Sequence, residues 1–278
     1  MALARTFLGA SNFVFSPMLN PAEIKIYHKH LPKDDFPRVG VCFSDRELKE
    51  GQAIDTLIIH SCYVSPSIIA PLDPTLVTDL TEARARELAQ RWVAERAELQ
   101  ALTDPAQIAV KRDRIAALEY AAMHTLIATR HGKAALTQFD PTAICEVFEF
   151  YGFTAHYLID RRGTVHELVP PDLRAFHSGK SKMPRTEDGR EGVSQFSIGI
   201  ELIADHNSGY TEPQLSALIA LTRSLIQSYP LINFYGHSDI APERKTDPWG
   251  FDWQSFLSAI NFDPQRQFSA SNTPSRCV

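Results

Sequence analysis

The feature that most restricts the fold is the alternation of short apolar runs with amphipathic stretches in the second half of the chain. Residues 141–151 read as a helix, 154–159 and 164–168 as strands, 196–203 as a strand, 212–229 as a helix and 232–235 as a strand. The four residues Asp160, Arg161, Arg162 and Gly163 join the first two strands, and the glycine can take positive φ, so a hairpin is predicted there. Upstream, Thr56-Leu57-Ile58-Ile59-His60 is a β-branched and aliphatic run that reads as a buried strand delivering His60 at its end. Strands interleaved with helices bury their apolar faces by stacking helices on a sheet. The predicted class is therefore α/β, a central mixed β-sheet flanked by α-helices.

Residues 64–135 break this pattern. A proline-spaced turn leads into two Ala/Leu/Arg/Glu-rich stretches, predicted as helices over 82–102 and 105–129, with Thr103 or Asp104 capping the second and Gly132 past its end. Leu88, Trp92, Leu99 and Leu102 recur at helical spacing on the first, and Ile108, Ile115, Leu118, Ala122 and Leu126 on the second, which predicts an inserted helical hairpin packed on the body. Residues 1–50 read as an N-terminal extension with an edge strand over 39–43, 51–260 as the main domain, and 261–278 as a flexible tail.

Composition excludes more than it identifies. With 44% apolar and 22% charged residues the chain is neither disordered nor fibrous in character. A net charge of -5 without a basic block argues against nucleic acid or an acidic membrane surface as partner, and no protein partner is expected. No run reaches the ~20 apolar residues of a spanning helix, and polar residues interrupt the N-terminal segment before it can make a signal-peptide core. Cys42, Cys62, Cys145 and Cys277 form no paired motif, so a reduced compartment is expected, with a periplasmic or secreted setting as the alternative to the cytoplasm.

The chemistry-bearing residues concentrate in Gly236-His237-Ser238-Asp239-Ile240-Ala241-Pro242-Glu243-Arg244-Lys245-Thr246-Asp247-Pro248, which follows directly on a strand and holds two prolines, so it is a loop. A loop anchored on a sheet can converge its side chains, and imidazole with carboxylate suits zinc, whose catalytic sites use three protein ligands. His237 and Asp247 supply two candidates and His60 a third. A histidine alone is more often a hydrogen-bonded structural residue, and only the combination points to a metal. Asp239 reads as a loop cap, and Cys62 as a packed thiol.

Five segments occur in one order: 57–60, 155–160, 175–179, 196–202 and 236–248. In these the chain resembles the zinc N-acetylmuramoyl-L-alanine amidases of the AmpD type, relatives of the peptidoglycan recognition proteins. The resemblance implies that His60, His237 and Asp247 bind Zn2+, that Glu201 is the catalytic carboxylate and that Lys245 answers the charge on the oxyanion. It implies hydrolysis of the amide between the lactyl group of (anhydro-)N-acetylmuramic acid and L-alanine, with a muropeptide or peptidoglycan as substrate. His156, His177, Phe176 and Ser61 fall where substrate contacts are expected, with a structural, hydrogen-bonded role as the equal alternative for the two histidines. The chain departs from the pattern at Ser61, where Asn is common, at Phe176, where Trp is common, at 193–195, and in the insertion, which either walls or covers the groove or is a surface hairpin or self-association face without influence on turnover. A binding module of the same fold that holds muropeptide without cleaving it is the alternative, and a closed four-ligand structural zinc site is a third.

Overall fold

The computed structural model describes residues 26–28, 42–69, 80–131, 137–186 and 188–262. Its main sheet has six strands in the spatial order β1 (Ile26–His28), β5 (Val165–Glu167), β4 (Tyr157–Ile159), β7 (Ser197–Ile203), β3 (Thr56–Cys62) and β8 (Asn233–Gly236). Neighbours run parallel except β4 and β5, whose antiparallel pairing is the expected hairpin. Its turn is held by the Asp160 carboxylate, which accepts from the backbone N–H of Arg162 at 2.8 Å and of Thr164 at 3.0 Å. Gly163 takes φ +82°, and a Cβ there would stand 2.5 Å from the Pro213 carbonyl oxygen, so only glycine fits.

Alternation along each strand sorts the side chains onto two faces. The register places Leu57 beside Ile198 and Ile59 beside Ile200 on one face, and Ile58 beside Gly199 and His60 beside Glu201 on the other. The first face is apolar throughout and packs on α5 (Glu212–Ser228) and α7 (Trp253–Ala259) through Leu218, Leu221, Leu225 and Phe256. The second packs Leu158 and Ile203 against Ile144 and Phe148 of α4 (Pro141–Tyr151), and its polar residues gather beyond that contact.

β3 continues past His60 to Cys62, so the histidine lies inside the strand and not at its end. Of the edge strand expected over 39–43, the described part holds β2 (Phe43–Ser44), which pairs with β6 (Arg174–Ala175) in a separate ribbon. Residues 39–41, Gly132 and the expected tail beyond 262 lie outside the described residues.

After the short α1 (Pro66–Ile69), the insertion forms α2 (Glu82–Leu99) and α3 (Pro105–His131). The Thr81 hydroxyl caps the first by accepting from Arg84 N–H, and Asp104 caps the second by accepting from Gln107 N–H at 2.9 Å. Leu88, Trp92, Leu118 and Leu126 pack with Phe150 of α4, the Trp92 and Phe150 ring centroids 5.1 Å apart. α4 is thus apolar on both sides because it is covered on both sides, and its buried Glu146 and Glu149 meet Arg130 of α3. Among the described residues, no helix is long and apolar enough to cross a membrane.

Candidate active site

His60, His237 and Asp247 each turn one ligand-competent atom to a common point, all within 4.8 Å of one another and all buried. The sheet explains the meeting. β8 lies beside β3 with Gly236 opposite Ile59, so His237, which opens the short helix α6 (His237–Ile240), stands beside His60 with ring centroids 4.4 Å apart. The loop after α6 returns to the same strand end, where the Asp247 carbonyl accepts from Ser238 N–H at 2.8 Å. Gly236 permits that return, since a Cβ there would stand 2.6 Å from Pro248 Cδ. Asp247 Oδ2 lies 3.3 Å from His237 Nδ1 and 3.8 Å from His60 Nδ1. Asp239 accepts from Gly236 N–H at 2.7 Å, which is the capping role expected of it.

The donor set fits a zinc-like cation. His60 Nδ1 and His237 Nε2 are buried without a hydrogen-bond partner, a costly condition for a polar atom that a cation would relieve. Two imidazoles and one carboxylate, with Cys62 outside the converging group, could supply three ligands to such a cation and would leave a position open.

Glu201 reaches the same cleft from β7, in register with His60. Burial and the nearby Asp247 charge push its carboxyl up to about 8, against the opposing pull of the Cys62 thiol and Lys245. Its Oε2 is buried without a partner. Burial, then His237, His177 and Lys245, holds the His60 imidazole well below the ordinary histidine range. Lys245 is fixed by its backbone N–H, which donates to Ala241 at 3.0 Å. The cleft holds about 330 Å³. Ile144, Val147 and Phe148 of α4 make its apolar wall, with Lys245 and Trp249 among its other lining residues. Neither α2 nor α3 contributes a lining residue among those described: the apolar wall is α4, and these two helices lie behind it.

The four expected substrate contacts separate. His177 and Ser61 line the cleft, the Ser61 hydroxyl 2.6 Å from that of Tyr210. His156 is fully buried, its Nδ1 accepting from Gly199 N–H at 2.9 Å and its Nε2 2.9 Å from the Arg46 guanidinium. Burial and Arg46 push it down to about 3. That burial corrects the expectation that His156 touches substrate. Phe176 lies under the Arg174 guanidinium at 5.2 Å and is not among the cleft residues, so it too is not brought to the cleft.

Sequence reasoning missed Arg46, which donates to the carbonyls of Pro171, Gln195 and Ser197 beneath the site. Nothing in its local sequence signals that role. It also gave no role to Ser197 and Gly199, although Ser197, Gly199 and Glu201 follow one another at steps of two, which places all three on one strand face.

A family model described as N-acetylmuramoyl-L-alanine amidase matches residues 51–250. The chain is 44% identical over 119 residues to the 1,6-anhydro-N-acetylmuramyl-L-alanine amidase AmpD of Salmonella typhimurium (strain SL1344), covering 42% of this chain and 62% of that protein. It is 49% identical over 111 residues to the protein of the same name from Escherichia coli (strain K12), covering 39% and 58%. The matches thus span less than two thirds of these relatives. A crystal structure of a selenomethionine derivative of AmpD aligns over 81% of this chain and 94% of its own, with 28% identity and a TM-score of 0.45.

Proposed function

The chain belongs to the N-acetylmuramoyl-L-alanine amidase family, and from that membership and the geometry of the cleft we propose that it hydrolyses the amide joining the lactyl group of (anhydro-)N-acetylmuramic acid to L-alanine. The observation that carries this reading is the convergence of His60, His237 and Asp247 in a cleft that Glu201 and Lys245 also line. The three converging residues would hold zinc. The chemistry a bound zinc supplies is Lewis acidity and a coordinated water whose pKa falls to ~7.

The remaining work falls to the chain's own groups. Glu201 takes a proton at its unpartnered Oε2 and returns one to the departing amine of L-alanine, a general base that becomes a general acid. Lys245 sets its ammonium group against the negative charge that grows on the carbonyl oxygen. The apolar α4 wall limits water on one side of the cleft, which strengthens both interactions. We assign this unit to residues 51–260, with 64–135 as an insertion and 1–50 as an extension.

The names of the relatives favour soluble anhydro-muropeptides, and on that reading the protein works in the cytoplasm. The test is incubation of the purified protein with 1,6-anhydro-muropeptides and with sacculi, with and without a chelator, and identification of products by mass. Release of free stem peptide, abolished by the chelator and restored by zinc, is expected. Tight binding of either substrate without release would replace the enzyme with a binding module. Release from sacculi alone would move the reaction to the envelope.

A further inference from the structure

A chain of hydrogen bonds runs from the His60 ring to a backbone carbonyl. His60 Nε2 lies 2.9 Å from His177 Nδ1, His177 Nε2 lies 3.0 Å from Ser197 Oγ, and Ser197 Oγ donates to the Val193 carbonyl at 2.6 Å. The polarity of the whole chain follows from its last member. A carbonyl has no proton to give, so the single hydroxyl proton of Ser197 points at Val193. Ser197 Oγ can then only accept from His177, which places a proton on His177 Nε2. The neutral ring offers its lone pair at Nδ1, so His60 Nε2 carries the donated proton. What remains on His60 is a lone pair at Nδ1, the atom that is buried without a partner and lies 3.8 Å from Asp247 Oδ2.

Geometry holds the relay in place. The His177 ring lies over the strand at Gly199, where a Cβ would stand 2.5 Å from its Cγ. Gly199 lies two residues from Ser197 and two from Glu201 on the same face of β7. The glycine therefore makes the space that lets the imidazole bridge His60 and Ser197.

We propose that His177 and Ser197 are positioning residues that fix the tautomer of His60, so that Nδ1 is the nitrogen it presents to a cation. This rests on the reading of His60, His237 and Asp247 as metal ligands, and it gives His177 a task other than contact with substrate. Partners of this kind orient a ligating imidazole, and their loss weakens metal binding about 10- to 100-fold.

Two measurements test it. Long-range 15N–1H correlation spectra of the metal-free protein, with histidine assignments from single variants, should show His60 and His177 both protonated at Nε2. A proton on His60 Nδ1 would overturn the proposal. Zinc affinity, read by competition with a chromogenic chelator, should fall about 10- to 100-fold in His177→Gln and stay near wild type in His177→Asn. The Asn carbonyl can replace Nδ1 as acceptor, whereas the Gln amide reaches the Ser197 end instead. Equal affinities for the two amide variants would reduce His177 to a packing residue. If His177→Gln does not fold, Gly199→Ala takes its place, since it displaces the ring without removing a donor or acceptor, and an unchanged affinity there counts against the relay. Failure of the wild type to bind zinc would sink the ligand reading, while the tautomers seen by NMR would still decide the relay.

Discussion

His237, at the start of α6, and Glu201, on β7, face one cleft, and replacing each should have a separable effect. His237→Ala removes one of three converging atoms, so zinc content measured by mass spectrometry should fall to background. A fully loaded variant would refute its ligation. Glu201→Ala leaves the converging group intact, so metal content should hold while kcat falls about 10²- to 10⁴-fold, the range supplied by a positioned acid–base group. Turnover near wild type would remove Glu201 from proton transfer. Both residues were legible because they sit in ordered motifs. His156 shows the opposite case: its motif suggested substrate contact, yet the structure engages both ring nitrogens inside the protein.

Helix α4 is the element through which the insertion can act on the site. Its inner side lines the cleft with Ile144, Val147 and Phe148, and its outer side packs Phe150 against Trp92 of α2. The hairpin is a buttress at α4's back. Trp92 is 2% exposed, so Trp92→Ala should cost about 3–5 kcal/mol in urea unfolding, the usual range for a deleted core tryptophan. With α4 still docked on the sheet, turnover per folded molecule should stay within a few-fold of wild type. A selective loss of kcat at unchanged stability would mean that the hairpin shapes the cleft directly. Helical spacing predicted both helices, and Asp104 was one of the two residues expected to cap the second. Their docking face depended on which side of α4 remained uncovered once the sheet had taken the other.

Across the whole molecule, acid should weaken the metal-free fold. His156 titrates at 6.5 unfolded but only near about 3 when folded. Between those values the unfolded state binds more protons, so stability is complete above pH 6.5 and is lost as pH falls. This group contributes about 1.4 kcal/mol per pH unit in that window. His60 and His177, also held well below the ordinary range, act with the same sign. Urea midpoints measured between pH ~7.5 and ~5 should fall with pH, and less so in His156→Asn. Glu201, raised to about 8, gains stability with acid over the same window and opposes them, so the fall is set by the excess of the three imidazoles, and an identical pH profile in wild type and His156→Asn would show that the His156 ring is not buried neutral. The sequence by itself determined the fold class, the hairpin turn and the inserted helices, and it singled out His60, His237, Asp247 and Glu201 as candidates, because periodicity and turn chemistry act over a few residues and the motifs lie in contiguous runs. Only the tertiary structure decided that Arg46 lies under the site, that His156 is sealed within it and that His177 bridges His60 to Ser197. Those contacts join residues far apart in the chain, and they exist only after strand register has chosen which side chains share a face.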